Sequence, residues 1–262
     1  MRKALPEDFD NIVNFLSADI GNCVYIYIDI LKYGLGADSP IDVWFDGFPT
    51  HVVIMKYHDS FQMYGTISDS EKAEISDLLL KFKPRMLYGE KSIIQEAQKL
   101  LQTDCSCDMT YGAVYEFSSY RKCSFDEIEP LSVSDMREAA ELMRMDAGFG
   151  SNYTVEDLEK QLIERIETKM GRNYGIRKDG KLIGHIATFA EFKGIAVTSG
   201  LIIHPDYRNK PYGAMLENFL ISVLLKENFK IYTFVHEPLR IKLLKALGHN
   251  QLGEYAKLLV KS

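Results

Sequence analysis

Apolar residues recur at helical spacing in residues 131–143, where Met136, Ala139, Ala140 and Met143 fall at i, i+3, i+4 and i+7. Ser134 stands as a candidate N-cap, and Asp135 puts negative charge into the first turn. A shift of 127 positions brings residues 4–16 into the same pattern, with Asp8 at the start and Phe9, Ile12, Val13 and Leu16 on one face. A second helix is expected after each, over 20–33 and 154–168. An apolar strand pair closed by Asp-Gly is expected next in each half, at 41–45 and 51–58 around Asp46-Gly47 and at 174–178 and 182–191 around Asp179-Gly180, Asp-Gly being a strong hairpin signal. A third strand follows in each half (61–67; 195–203). Next come a helix (71–82; 212–226), a strand (85–88; 230–235), a helix (91–101; 237–247) and a last strand (110–117; 253–260). One order of elements thus occurs twice, which predicts an α/β protein of two similar mixed-sheet units. Residues 118–128 form the joint, giving domains at 1–120 and 125–262.

Composition adds limits. The chain has 262 residues, 46% of them hydrophobic and 26% charged, sufficient for full cores and unlike a disordered chain. Residues 1–125 carry 12 Lys/Arg against 18 Asp/Glu, and residues 126–262 carry 19 of each, so the whole net charge of −6 lies in the first half. No basic stripe offers itself to nucleic acid. No apolar run approaches the ~20 residues of a membrane span, and Met-Arg-Lys is followed by no apolar leader core, so the chain reads as cytoplasmic. Cys23, Cys105, Cys107 and Cys123 include one C-x-C without a second ligand pair, which fits free thiols and no metal site.

The candidate chemistry lies at 199–216. An apolar strand runs to Ile203, His204-Pro205-Asp206 turns, and Arg208 and Lys210 lead into a long apolar helix. The first amides of a helix have no internal acceptor and sit at the positive end of its dipole, so this corner suits an anion. Gly213 and Ala214 let a phosphate approach the backbone.

The run His204-Pro-Asp-Tyr-Arg208-Asn-Lys-Pro-Tyr-Gly213-Ala214 resembles the acyl-CoA loop of the GNAT acyltransferase superfamily, whose pattern is Arg/Gln-x-x-Gly-x-Gly/Ala. The likeness extends over residues 125–262, through the 128–142 opening, the Asp179-Gly180 hairpin and the late helix ending at Gly248. It implies two tandem GNAT-like units, the N-terminal one degenerate, because Ser68-Asp69-Ser70-Glu71 is acidic and lacks glycine where a cofactor loop would lie. It further implies that Leu201 and Ile203 pair with the pantetheine arm of acetyl-CoA as an added strand would. Amides of Asn209, Lys210, Tyr212, Gly213 and Ala214 would hold the pyrophosphate, with Arg208 and Lys210 at the mouth. The activity implied is transfer of an acetyl group to a primary amine of a small molecule or peptide. Catalytically inactive CoA binding or a protein-interaction role is the alternative, and a homodimer is compatible with either.

Three positions depart from the pattern. Pro211 replaces the first glycine and removes one N–H donor. Leu244 stands where a tyrosine acid is often found. The strand leading to the loop has no glutamate, which leaves Glu191 as first and His236 as second candidate base. Phe149 and Tyr153, in the glycine-flanked loop between the two helices, are the candidate acceptor contacts; as solvated or packing residues, all four would be purely structural.

Overall fold

The computed structural model describes residues 1–101, 106–122, 124–146 and 153–261. In chain order the elements are β1 (Arg2–Lys3), α1 (Phe9–Ser17), α2 (Ile20–Tyr33), β2 (Ile41–Phe45), β3 (Val52–Tyr57), β4 (Ser60–Gly65), α3 (Lys72–Phe82), β5 (Met86–Glu90), α4 (Lys91–Leu100) and β6 (Ser106–Phe117). The second half supplies β7 (Ile128–Leu131), α5 (Met136–Arg144), α6 (Val155–Glu167), β8 (Asn173–Lys178), β9 (Lys181–Phe192), β10 (Ile195–Ile203), α7 (Tyr212–Lys226), β11 (Lys230–Val235), α8 (Pro238–Ala246) and β12 (Asn250–Lys261). The doubled order expected from the sequence is present.

Its sequence signature has a physical basis. Asp8 accepts the Leu5 N–H at 2.9 Å and the guanidinium of Arg2, while Asp135, 127 positions on, accepts the Ser132 N–H at 2.8 Å and the guanidinium of Arg177 at 2.7 Å. Each aspartate closes a short 3-10 turn ahead of α1 or α5, so these helices begin later than hydrophobic spacing alone suggests. The hydrogen bond from Arg2 holds the Asp8 carboxyl below the usual carboxylate range, and the hydrogen bonds from the Ser132 N–H and hydroxyl, with Arg177 beside them, do the same for Asp135.

Two compact units divide the chain. The first comprises Met1–Tyr115 with Phe234–Ser262, and the second Glu116–Thr233. In the first unit the strand order is β1-β2-β3-β4-β5-β12-β6. Alternation sends Ile41, Val43 and Phe45 of β2 into one apolar cluster with α1 and α2, and Trp44 into the opposite one with α3 and α4. β12 pairs antiparallel with β5, Tyr255 facing Glu90 and Leu259 facing Met86, and it buries Ala256 and Leu258 beside Leu87. The strand that ends the second half of the sequence therefore lies in the first unit.

The second unit has the order β11-β10-β9-β8-β7. α5 and α6 bury Met136, Ala139, Ala140, Met143, Leu158 and Leu162 against Leu182 and Ile202. α7 buries Leu216, Leu220 and Leu224, a stripe at i, i+4 and i+8. Each such leucine contributes about 1.5–3 kcal/mol of transfer free energy, which fixes the helix and thereby its N-terminus. Asp179 (φ 49°) and Gly180 (φ 78°) close the β8–β9 hairpin as a two-residue turn, as expected. Asp46-Gly47 does not. The β2–β3 connection runs from 46 to 51, because the Asp46 carboxylate accepts the His51 N–H at 3.0 Å and the Val52 N–H at 3.2 Å and spreads the turn. No helix among the described residues is long and apolar enough to cross a membrane.

Candidate functional site

β10 is irregular where the loop begins. Ser199 faces Ala187 and Ile202 faces His185, so β10 advances three residues while β9 advances two. The extra residue makes a bulge at Gly200, whose φ of +65° suits glycine. A side chain there would also meet Phe189 and His185 at 3.2 and 3.3 Å. β10 pairs in parallel with β11 only over Ile195–Thr198, and β10 continues past the bulge to Ile203.

His185 lies under the bulge, fully buried. Its Nδ1 is 2.9 Å from the Gly200 carbonyl oxygen and its Nε2 is 2.9 Å from the Asn173 carboxamide. Burial pushes the imidazole down to about 4, so it is neutral at pH 7 and carries one proton. The Gly200 carbonyl oxygen and Asn173 Oδ1 both only accept, and the single proton of the neutral ring, on Nδ1, is donated to Gly200. In a trans peptide the Gly200 C=O and the Leu201 N–H point in opposite directions. The histidine therefore fixes the direction of the Leu201 N–H.

The loop turns through Pro205–Tyr207, closed by Tyr207 N–H to His204 O at 2.9 Å, Arg208 N–H to Pro205 O at 3.3 Å and Lys210 N–H to Tyr207 O at 3.0 Å. Arg208 Nε donates to Ile203 O at 3.1 Å, and the exposed Asn209 and Lys210 complete the mouth. Pro211 is the N-cap of α7, one position earlier than a first-turn proline, and its carbonyl accepts the Met215 N–H at 2.9 Å. That leaves the N–H groups of Tyr212, Gly213 and Ala214 without an acceptor among the described residues. The first turn of α7 contains no acidic residue. A Cβ on Gly213 would meet only Ile203, at 3.6 Å, so the approach to these amides is open. Lys178, not anticipated from the sequence, sets its ammonium 5.7 Å from the Tyr212 ring centre. Lys178 is itself paired with Glu127 at 2.9 Å, and the open amides, the helix dipole, Arg208 and Lys210 lie together in an arrangement suited to an anion.

Other expected residues stand elsewhere. Glu191 faces Ala196, at the opposite end of β10 from the loop. Arg172 grips it with Nε at 2.8 Å and Nη2 at 2.7 Å, Thr188 donates to it, and the same arginine bridges to Glu227 just beyond the C-terminus of α7. Since α7 has 15 residues, at 1.5 Å rise each the Glu191 cluster lies about 20 Å from the helix N-terminus. Glu191 fastens sheet to helix and does not reach the bulge. His236 belongs to the first unit, half exposed, with Nε2 3.2 Å from Glu237. Tyr153 is half-buried against the α5–α6 cluster, its carbonyl accepting from Arg144 at 2.7 Å. Phe149 lies outside the described residues. Leu244 is buried. Leu201 and Ile203 are half-buried on the stretch of β10 that lies beyond its pairing with β11 and still pairs with β9. Among the described residues no three His, Cys, Asp or Glu side chains gather as metal ligands.

The sequence model of the acetyltransferase (GNAT) family matches residues 138–248. This stretch is a GNAT domain. Solved structures carry the likeness over the whole chain. A Drosophila protein, 12% identical, aligns over 99% of this chain and 98% of its own with a TM-score of 0.69. A GNAT-family acetyltransferase from Colwellia psychrerythraea, 9% identical, covers 100% of both chains at 0.57. A tandem GNAT protein from the clavulanic acid biosynthesis pathway, 12% identical, covers 98% of this chain and 97% of its own at 0.57. At such identities the shared property is the fold, here the tandem GNAT fold. No curated protein sequence matches the chain.

Proposed function

We propose that the second unit binds acetyl-CoA and transfers its acetyl group to a primary amine of a small molecule or peptide. The observation that carries this reading is the set of acceptor-free amides at Tyr212, Gly213 and Ala214, flanked by Arg208 and Lys210 and following a strand bent at Gly200. The amides and the dipole of α7 take the pyrophosphate; the stretch of β10 at Leu201 and Ile203, beyond its pairing with β11, takes the pantetheine arm by strand addition. The Leu201 N–H, aimed by His185 through the Gly200 peptide, polarises the thioester carbonyl. A neutral amine forms the new C–N bond at the carbonyl carbon. The C–S bond breaks with its electron pair on sulfur, and the proton released by nitrogen ends on the thiolate by way of solvent. Glu191 has no part in this step, being held by Arg172.

Thermal unfolding with acetyl-CoA and with CoA tests the binding, and thiol release over a panel of amines tests the transfer. Both ligands should stabilise the chain, by about 2.7 kcal/mol at a hundredfold excess over Kd, and thiol release should depend on the amine. No stabilisation at millimolar ligand would overturn the proposal, and stabilisation without turnover would leave a CoA-binding protein in its place.

A further inference from the structure

β8 runs along α7 in the opposite direction, so its last residue stands at the helix start. Tyr174, near the beginning of β8, sets its ring 4.9 Å from that of Phe219, and Lys178, at its end, sets its ammonium 5.7 Å from the ring centre of Tyr212. Tyr212 and Phe219 are i and i+7 on α7, one above the other on a single helix face. The strand thereby brings a lysine to the end of α7 where the amides of Tyr212, Gly213 and Ala214 are open.

The segment ahead of β7 covers the same flank. Phe125 packs edge-on against Phe219 at 5.4 Å, and the Arg121 N–H donates to Asn218 Oδ1 at 2.6 Å. Asn218 in turn donates to the Ala214 carbonyl at 2.7 Å, which ties the segment to the first turns of the helix. Just beyond Phe125, the Glu127 carboxylate accepts from the Lys178 ammonium at 2.9 Å. That bond, with the Tyr212 phenol beside it, raises Lys178 above the usual lysine range, so it is a full cation. Both partners are partly exposed, and an ion pair of this kind adds little to stability and breaks readily. A diphosphate carries more charge and more acceptor oxygens than one carboxylate, and the lysine holds its three donors on a flexible four-carbon stem. The carboxylate of Glu127, by contrast, opposes any anion at this corner for as long as it occupies the lysine.

We infer that Lys178 is a further diphosphate-binding residue of this corner, and that the coenzyme takes it from Glu127 in an exchange of ion pairs. The inference rests on the acetyl-CoA reading of the second unit and adds to it a cation supplied by β8. Because one ion pair is broken for the one that forms, Glu127 acts as a brake on affinity, set by the segment ahead of β7.

Calorimetric titration of the full chain with CoA and with inorganic pyrophosphate tests it, with the melting temperature followed alongside. Lys178→Met should weaken both ligands about five- to tenfold, and Lys178→Arg should restore most of the affinity. Glu127→Gln should tighten both about three- to fivefold, although it removes an ion pair. In the Lys178→Met background Glu127→Gln should change nothing. Wild-type affinity in both single variants would overturn the exchange. So would equal tightening by Glu127→Gln with and without Lys178, which would leave plain repulsion by the carboxylate. Glu127→Gln alone decides the matter if Lys178→Met fails to fold, since unchanged or weaker binding contradicts a brake. A wild-type chain that binds neither ligand at millimolar concentration would overturn the acetyl-CoA reading and this inference together, whereas wild-type binding that ignores these substitutions overturns the inference alone.

Discussion

The corner after β4 and the corner after β10 have the same topology and opposite chemistry. In the first, Glu71 is the N-cap residue of α3, and its carboxylate takes the Ser68 N–H and two serine hydroxyls, while Asp69 pairs with Lys72 at 2.6 Å. Those hydrogen bonds hold the Glu71 carboxyl down to about 2. The chain thus supplies its own anion to the helix start. In the second corner Pro211 takes that place, no acid follows it, and Arg208 and Lys210 face outward. A handful of side chains at a shared backbone junction separates a turn that holds its own carboxylate from one whose helix start carries none.

Making the second corner resemble the first should have the largest effect. Gly213→Glu places a carboxylate among the free amides, in a position with room for a side chain. CoA affinity measured by calorimetry should fall by roughly a hundredfold or more, a loss of about 2.7 kcal/mol, with the melting temperature nearly unchanged. Retained affinity would break the comparison.

The next effect concerns the bulge at Gly200 of β10; the pairing of β4 with β3 in the first unit is regular. His185→Leu leaves the Gly200 carbonyl unpaired in the core and should destabilise the chain by about 2–4 kcal/mol in denaturant unfolding. The same histidine gives a pH signature. Its folded pKa of about 4 lies below the unfolded value of 6.5. Above pH 6.5 both states are neutral; as pH falls from 6.5 toward 4 only the unfolded chain gains the proton, and stability drops by an amount on the order of 3 kcal/mol. Equilibrium unfolding from pH 7 to 4 should show this slope, and His185→Gln should lack it.

Pro211→Gly restores the missing donor and should tighten CoA binding roughly tenfold. An unchanged Kd would mean that the other amides already satisfy the phosphates. The smallest effect is in the first corner. Glu71→Gln should leave CoA binding unaltered while removing a part of the acid sensitivity, because a carboxylate with a depressed pKa stabilises the fold above pH 4.5 and ceases to do so as pH falls toward 2.

Much of this architecture is legible in the chain. The spacing of 127 between Asp8 and Asp135 reflects a real repeated turn, and Asp179-Gly180 marks a real hairpin, because both depend on residues close in sequence. The helix start at Tyr212 is read almost to the residue for the same reason. The partner of β12 is not legible: pairing Tyr255 with Glu90 rests on burial of Ala256 and Leu258 among residues from the far end of the chain. Nor is the fate of Glu191. It is near the loop strand in sequence, yet antiparallel pairing carries it to the wrong end of β10, and Arg172 gives no local sign that it waits there. His185 and Asn173 read as ordinary strand residues. Gly200 inside an apolar strand was the available signal of a bulge beside them.

The claim beneath all of these comparisons is that the start of α7 holds a pyrophosphate and the start of α3 does not. Amide chemical shifts during titration of the full chain with acetyl-CoA test it directly. The account predicts saturable displacement of the Tyr212, Gly213 and Ala214 signals, together with Leu201, and stationary signals for Ser68, Asp69 and Glu71. Stationary signals at the start of α7 with millimolar ligand, or equal displacement at both corners, would contradict it.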